Sequence, residues 1–257
     1  MLITSVYGVL MVLASVVVAV AGLMLTQRLI PLSIRERHNA TTGTIYAALY
    51  VMFGVTVAFS LFVVWQQYNA ARLIAESEAA AVEQVYHLAG RLPDPERSRI
   101  QELAVSYSEG VVEKEWALMR EGRSSPRVES LLDELRQSVQ GYEPQTDAQD
   151  ALYAEALVEV DELEENREFR LVAVSDGIPY IMWVVLVTGG VLTIAFTYLF
   201  GMEAIWLHAV AVAGLTILVS LILHAIGILD FPFNSGVRVQ PDAFEDVLRQ
   251  IGGNGGP

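Results

Sequence analysis

The stretch TIYAALYVMFGVTVAFSLFVVWQQYNAARLIAESEAAAVEQVYHLA, residues 44–89, decides the fold of this chain. Its first half is uncharged and mostly apolar over about 20 residues, the length that a helix needs to cross ~30 Å of hydrocarbon. No stop signal separates it from its second half, which is rich in Ala, Glu and other strong helix formers. The stretch therefore predicts one helix that leaves a membrane and continues to about Leu92.

Three other windows of the sequence have the same character. Residues 1–27, 177–202 and 204–229 contain no Asp, Glu, Lys or Arg, and neither do residues 38–71, which include the apolar half of the opening stretch. In hydrocarbon every backbone N–H and C=O must be hydrogen-bonded internally, so such runs cross as helices. We predict spans near residues 5–27, 44–66, 180–200 and 204–228. The first could instead be a signal peptide, but no basic residue precedes it and its apolar run is longer than a signal core needs.

Nearly all of the negative charge lies between the second and third spans. Residues 67–178 contain 24 acidic and 11 basic side chains, in a chain whose net charge is −14. Pro and Gly residues near 93–95, 122 and 141–144 divide this segment into helices, with Asp94 and Thr146 or Asp147 placed as N-caps. The acidic surface excludes duplex nucleic acid as a partner. It is either a solvated surface or a docking face for a basic protein partner.

These patterns predict an all-α integral membrane four-helix bundle whose long helices extend into a membrane-proximal helical bundle. We divide the chain into residues 1–66 (transmembrane helices 1 and 2), 67–178 (acidic helical bundle outside the bilayer), 179–229 (transmembrane helices 3 and 4) and 230–257 (C-terminal docking tail). The predicted location is the cell membrane, with several crossings and with lipid as a partner. Arginines flank the membrane on both sides, so the positive-inside rule does not decide orientation. The first helix, followed by Arg28, Arg35 and Arg37, favours an extracytoplasmic bundle.

The sequence offers little for enzyme chemistry. No cysteine is present, which excludes disulfides, thiolate nucleophiles and cysteine metal sites. The four histidines, His38, His87, His208 and His224, do not have the spacing of a zinc site. We expect no metal, no cofactor and no enzymatic activity. His224 lies within an apolar span, where a hydrogen bond to a neighbouring helix or a role in proton or ion relay would explain it.

The second span is the one that we predict to line a pore, if the chain forms one. Phe59 and Phe62 share a face of the helix, and Val55 lies one turn before Phe59. In an oligomer such side chains form an apolar ring that gates ions by dewetting, whereas in a scaffold they face lipid or neighbouring helices. Three glutamates would line the mouth of the pore and favour cations: Glu76, Glu78 and Glu83.

Glycines in the spans are explained by helix packing, because a missing side chain lets two helices approach closely. The residues concerned are Gly8, Gly22, Gly54, Gly189, Gly190 and Gly214. The Gly189-Gly190 pair could alternatively be a hinge or a bend lining a cavity.

Several stretches together resemble one known family. They are Arg37-His38-Asn39 with Gly43, Trp65 to Ala71 with Glu76 and Glu78, Tyr86 to Pro93, Tyr107 with Glu115-Trp116, Asn166 to Leu171, Pro179 to Trp183, and Leu229 to Phe233 with Gly236. This set resembles the bacterial bestrophin-like domain family of four-span membrane proteins. The resemblance covers nearly the whole chain, and it implies a homo-oligomer and, by analogy with bestrophins, an anion channel. The alternative is a non-conducting scaffold or sensor that binds protein partners through its acidic helical bundle.

The end of the fourth span carries the most specific part of that resemblance. We predict a clamp that holds the membrane exit against the helical bundle, formed by Asp230, Phe231, Pro232, Phe233 and Gly236. Phe231 and Phe233 would be aromatic anchors at the membrane boundary. A short helix follows, and its apolar residues need a surface to cover them, for which the acidic bundle of the same or an adjacent subunit is the candidate. Those residues are Phe244, Val247, Leu248 and Ile251.

Overall fold

The computed structural model describes residues 2–234 and 238–253 of the chain. Within those ranges the regular elements are all helical, which confirms the all-α fold class. The elements are α1 (Leu2–Leu29), α2 (Leu32–Ala89), α3 (Glu96–Gly110), a π-helical turn (Val111–Glu115), α4 (Trp116–Met119), α5 (Pro126–Gln140), α6 (Asp147–Ala173), α7 (Tyr180–Thr197), α8 (Ile205–Leu229) and α9 (Asp242–Gly253).

Four of these helices are long and apolar enough to cross a membrane. They are α1, α2, α7 and α8, and each contains an apolar window with few charges. The predicted spans fall on these helices, and the 58-residue α2 is the continuous helix that residues 44–89 predict. It ends at Ala89 instead of Leu92, because the chain turns at Gly90 ahead of Pro93.

The chain divides into two compact units, which we call the membrane unit and the helical unit. Among the described residues, the membrane unit contains those up to Gln66 and Gly177–Asp230. Helix α8 packs against α1 and α7. One apolar cluster joins α2, α7 and α8 and includes Val57, Leu186 and Ile226, and a second joins α1 and α8 through Leu23 and Val212.

Glycines allow close packing at four of the six predicted positions. A Cβ at Gly8 would lie 2.4 Å from His224 Nε2, and one at Gly189 would lie 2.7 Å from the Phe53 ring. Gly22 and Gly190 likewise lie against side chains of other helices. The prediction is wrong within this chain for Gly54 and Gly214, because no heavy atom of the described residues lies within 4 Å of a Cβ built there.

The helical unit contains Gln67–Asp176, Phe231–Asn234 and residues 238–253. Its core is a single apolar cluster to which α2, α3, α5, α6 and α9 contribute. Helix α6 contributes Val160 and Leu163 to this cluster, and both are buried. Phe244, Val247 and Ile251 of α9 are buried in the same cluster, so the helical unit of the same chain covers the apolar face of this short helix.

Side-chain caps mark the starts of two helices in the helical unit. Ser125 and Thr146 cap α5 and α6 by accepting the backbone N–H of Val128 and Gln149. The predicted cap at Asp94 is wrong. Helix α3 begins one residue later than that cap would place it, and Asp94 accepts hydrogen bonds from the Ser98 hydroxyl and the Arg97 guanidinium.

Candidate functional site

One face of α2 is left uncovered within the membrane unit. Val55, Phe59 and Phe62 are 51%, 67% and 58% exposed, and they follow one another at four- and three-residue spacing on one side of the helix. The opposite side packs inward, where Val57 and Val64 are buried. The face of α2 predicted to line a pore is therefore more than half exposed in the described part of this chain.

Phe53 belongs to the packed side of α2. Its ring lies over Gly189 and Gly190, and these two glycines give it room in α7. The pair therefore has the packing role expected from the sequence, with an aromatic ring as the group that it admits. The ring thus helps to fix which face of α2 remains uncovered.

Of the three glutamates predicted at a pore mouth, two lie at the surface of the helical unit. Glu76 pairs with Arg72 at 3.5 Å, and Glu83 pairs with His87 at 3.6 Å, each within one turn of α2. Glu78 does not belong with them. Its side chain is completely buried and bound to Arg170, so it cannot line a water-filled opening.

Glu78 is part of a buried charge network that the sequence reasoning did not anticipate. The Arg170 guanidinium donates to both carboxylate oxygens of Glu78, at 2.5 and 2.9 Å, and to Glu115 at 2.7 Å. Arg167 donates to both oxygens of Glu115, and the Tyr107 hydroxyl donates to Glu78 at 2.6 Å. Two carboxylates and two guanidiniums thus balance in charge inside the core.

The π-helical turn places Glu115 in this network. A π-turn carries one residue more than an α-turn, and such turns often occur where a side chain must be redirected. Here the turn spans Val111–Glu115 and joins α3 to α4. Glu115 also accepts the backbone N–H of Ser125, the cap residue of α5. The network therefore ties α2, the π-turn, the start of α5 and α6 together.

The pKa values in the network follow from burial and charge pairing. Burial acts to raise the pKa of Glu115, but hydrogen bonds and charge from Arg167 and Arg170 outweigh it and hold that pKa below its ordinary value. Burial, followed by the charge of Glu78, raises the pKa of the Tyr107 hydroxyl well above its ordinary value. The carboxylate of Glu115 is thus ionised and the Tyr107 phenol protonated near neutral pH.

The tail joins the helical unit beside this network. The Phe233 ring is buried against Trp116, with ring centroids 5.7 Å apart, and the Trp116 indole donates to the Val239 carbonyl. The same indole lies 5.2 Å from the Arg170 guanidinium. The prediction that Phe233 is an anchor at the membrane boundary is therefore wrong, because its ring lies in a protein core. Phe231 is 42% exposed, consistent with such an anchor.

The other clamp residues are held by backbone and side-chain hydrogen bonds. Within the membrane unit, the buried Asp230 carboxylate accepts the Ile178 N–H at 2.7 Å and the Trp183 indole N–H at 3.0 Å. In the helical unit, the Pro232 carbonyl accepts the Val239 N–H at 2.8 Å. Gly236 lies outside the described residues.

The structure adds nothing that resembles a metal centre. Across residues 2–234 and 238–253, no group of three or more His, Asp or Glu side chains is placed to bind a metal ion. His224 lies against Gly8, which is a packing role for its imidazole ring.

Comparison with known proteins agrees with this architecture. The family model of the Bestrophin-like domain matches residues 13–244. The chain belongs to the bestrophin-like family. None of the curated proteins with which this bestrophin-like chain was compared matches it in sequence.

Solved structures share the fold of this bestrophin-like chain. A bacterial bestrophin homologue from Klebsiella pneumoniae superposes with a TM-score of 0.68 at 13% identity, covering 95% of this chain and 98% of that one. A mutant of that homologue gives a TM-score of 0.70 at 13% identity and covers 94% and 99%. A crystal structure of a mutant described only as a membrane protein gives 0.69 at 13% identity and covers 94% and 98%. At such identities the likeness shows the fold alone.

The network residues of this bestrophin-like chain were visible as sequence motifs but not as partners. Arg167 and Arg170 lie three residues apart in the stretch from Asn166 to Leu171, and Glu115 precedes Trp116 in another family stretch. Acidic and basic residues at such spacing usually lie on solvated helix faces. Only the packing of α2, the π-helical turn and α6 shows that these charges are buried together with Glu78.

Proposed function

We propose that this integral membrane protein assembles into a homo-oligomer that conducts ions, with the exposed face of α2 lining the pore. The observation that carries the proposal is the uncovered stripe of Val55, Phe59 and Phe62 opposite a packed face. In a closed ring of subunits this stripe would form successive apolar rings. Membership of the bestrophin-like family supports the same function by analogy.

The chemistry of the stripe defines how such a pore would gate. Apolar rings narrow enough to exclude water oppose ion passage, and they conduct when they widen or become wetted. Replacing the apolar residue that forms one of these rings by a hydroxyl-bearing residue should therefore lower the barrier to ion passage. Glu76 and Glu83 on the helical unit would favour cations if they lined the approach, whereas the family resemblance implies anions. Potassium and chloride fluxes must both be measured.

The absence of cysteine from the sequence allows a direct test. Single cysteines replace Val55, Phe59 and Phe62, and the purified variants are placed in liposomes and exposed to a water-soluble, charged thiol reagent. A residue that lines an aqueous path is modified, and the added charge changes ion flux. The matched control is Leu13→Cys on α1, an apolar residue of similar exposure at 56%.

The outcomes separate the pore from a lipid-facing surface. We expect modification and altered flux at the three α2 positions and no effect at Leu13. If all four cysteines remain unmodified and the wild-type liposomes carry no flux of either ion, then α2 faces lipid and the channel proposal fails.

A groove on the helical unit favours the second candidate, a scaffold or sensor. It lies between α5 and α6 and has a volume of about 480 Å³. Its lining has more acidic than basic side chains, together with apolar ones: Glu129, Asp133, Glu164, Glu168, Arg167, Leu132, Leu171, Val172 and Ser175. Such a surface fits a basic, amphipathic helix of a partner protein. This function requires no flux, so the liposome experiment also separates the two candidates.

We also propose that the tail clamps the last span to the helical unit, with Asp230 fixed in the membrane unit and Phe233 fixed in the helical unit. For orientation in the cell membrane, the arginines that follow the first span favour an extracytoplasmic helical unit. A reporter fused to α9 tests this orientation. If the reporter is active in the cytoplasm, the helical unit is cytoplasmic and the proposed orientation is wrong.

A further inference from the structure

At one end of the membrane unit, a buried arginine lacks an acidic partner. Arg35, in the first turns of α2, is 5% exposed. Its Nη1 donates to the carbonyl of Phe200 at 3.1 Å and to that of Tyr198 at 3.5 Å. Among the described residues no carboxylate oxygen lies within 4.0 Å of the guanidinium. A buried charge without a counter-charge is costly, so a negative group from outside the subunit would stabilise it.

Arg35 belongs to a group of side chains that hold the connection between α7 and α8. Asn39 donates to the Gly201 carbonyl at 3.0 Å and accepts the Gly201 N–H at 2.8 Å. His208, 2% exposed, uses Nε2 to bind the Thr197 carbonyl at 3.0 Å. A Cβ at Gly201 would lie 2.5 Å from the backbone nitrogen of Glu36, so α2 and the connection are in close contact.

Three buried nitrogen atoms at this end have no hydrogen-bond partner in the described part of the chain. They are Arg35 Nε, His208 Nδ1 and Gln27 Nε2. Gln27 follows Leu23 by one helical turn, and Leu23 packs in the same cluster as Tyr198, which places Gln27 near the α7–α8 connection. Buried polar atoms are nearly always bonded, so orphaned ones indicate a missing partner.

The orphaned atoms are of the types that can bind a phosphate. Since Nη1 of Arg35 is used by the carbonyls, its Nε–Nη2 edge remains, and that edge can bind two oxygens of a phosphate side by side. Gln27 Nε2 adds a third donor. Because a carbonyl only accepts, His208 Nε2 carries the proton and Nδ1 of the neutral ring is an acceptor. Three donors with one acceptor fit a phosphate that carries a hydroxyl group.

We propose that Arg35, Gln27 and His208 form a binding site for a phosphate group bearing a hydroxyl. Two sources provide a phosphate with a hydroxyl donor: inorganic phosphate, which carries the hydroxyl on phosphorus, and the phosphoglycerol headgroup of a membrane lipid, which carries it on the glycerol. The site lies where α1 ends and α2 begins, at the end of apolar spans where lipid headgroups are found. The site does not depend on ion conduction.

The test uses the full chain, purified in detergent and freed of lipid. Thermal unfolding and native mass spectrometry are followed with phosphatidylglycerol, with phosphatidylcholine, and with inorganic phosphate against equal chloride. Arg35→Lys keeps the charge and can still reach the carbonyls but loses the two-donor edge. Gln27→Met removes a donor that makes no hydrogen bond within the described chain, so we expect this variant to fold as the wild type does. The control is Arg37→Lys, an exposed arginine two residues away.

We expect the wild type and Arg37→Lys to bind phosphatidylglycerol more tightly than phosphatidylcholine. The affinity of Arg35→Lys for phosphatidylglycerol should be lower by about tenfold to a hundredfold, because this variant loses one pair of charge-assisted hydrogen bonds. Gln27→Met should be weaker by a smaller factor without a loss of lipid-free stability. Stabilisation by inorganic phosphate alone would support the site and identify a soluble ligand. The proposal is overturned if neither phosphate source binds the wild type, or if both variants bind as the wild type does.

Discussion

Replacing Arg170 by methionine tests whether the buried charge network holds the helical unit together. Methionine keeps much of the aliphatic volume and the helix propensity of arginine, but it removes every hydrogen bond that the guanidinium makes. Glu78 would then keep only the Tyr107 hydroxyl, while Glu115 would still be paired with Arg167. One buried carboxylate is left without a cation.

The cost follows from burial. Arg170, Glu78 and Glu115 have side chains with no solvent exposure, so water does not replace the lost partner. Removing one member of such a buried pair costs about 3–5 kcal/mol, which for a protein of this length lowers the melting temperature on the order of 10 °C. The exposed pair of Arg72 and Glu76 provides the control, since Arg72→Met should cost less than about 1 kcal/mol.

Melting of the full chain in detergent, followed by circular dichroism, measures both variants. A third variant, Glu78→Gln combined with Arg170→Met, removes the orphaned charge and keeps an acceptor for Tyr107. It should recover part of the loss, by an interaction energy of roughly 1–3 kcal/mol. If Arg170→Met melts within about 2 °C of Arg72→Met, the network contributes no more than a surface pair and the reasoning from burial is refuted.

The tail and the pH dependence provide the remaining predictions. Phe233→Ala should cost about 3–5 kcal/mol because its ring is buried against Trp116, whereas Phe231→Ala should cost well under half of that. If the variant that carries both Phe231→Ala and Phe233→Ala keeps the melting temperature and the oligomer size of the wild type, the clamp is ruled out. The folded pKa of Glu115 lies below 4.5, so its contribution to stability is present above pH 4.5 and is lost as the pH falls through that folded value. The folded pKa of Tyr107 lies above 10.0, so its contribution is present below pH 10.0 and is lost as the pH rises through the folded value. Melting temperature against pH, with Glu115→Gln and Tyr107→Phe flattening the acid and alkaline limbs respectively, measures both.

The membrane helices could be predicted from the sequence because their signal is local. A run of uncharged residues must satisfy its own backbone wherever it lies in the chain, so length and composition are enough. The same holds for Thr146, whose cap depends on residues three positions away. Asp94 was mispredicted because its carboxylate had side-chain partners one turn along, in Arg97 and Ser98, that competed with the cap.

The charge network could not be predicted, because its members are distant in sequence. Glu78 and Arg170 are 92 residues apart, and only the packing of helices brings them together. Glu78 differs in no local respect from Glu76 or Glu83, and all three lie on the same helix. Helical spacing separates their faces, but which face is buried depends on where the other helices of the unit pack.

The two units differ in how far their apolar side chains are exposed, and this difference indicates where a functional surface lies. The helical unit buries its apolar residues and its balanced charges within one core, and α9 covers part of that core. The membrane unit leaves large apolar side chains exposed on every span, including Phe59 on α2, Val17 on α1 and Val191 on α7. Lipid can cover all of these faces, but a ring of subunits necessarily turns one face of each subunit away from lipid. Among the described residues of the four spans, only α2 has several exposed aromatic rings at helical spacing opposite a packed face. We therefore expect that face to be the one turned toward the axis, and thiol accessibility at Phe59 and Phe62 tests this expectation.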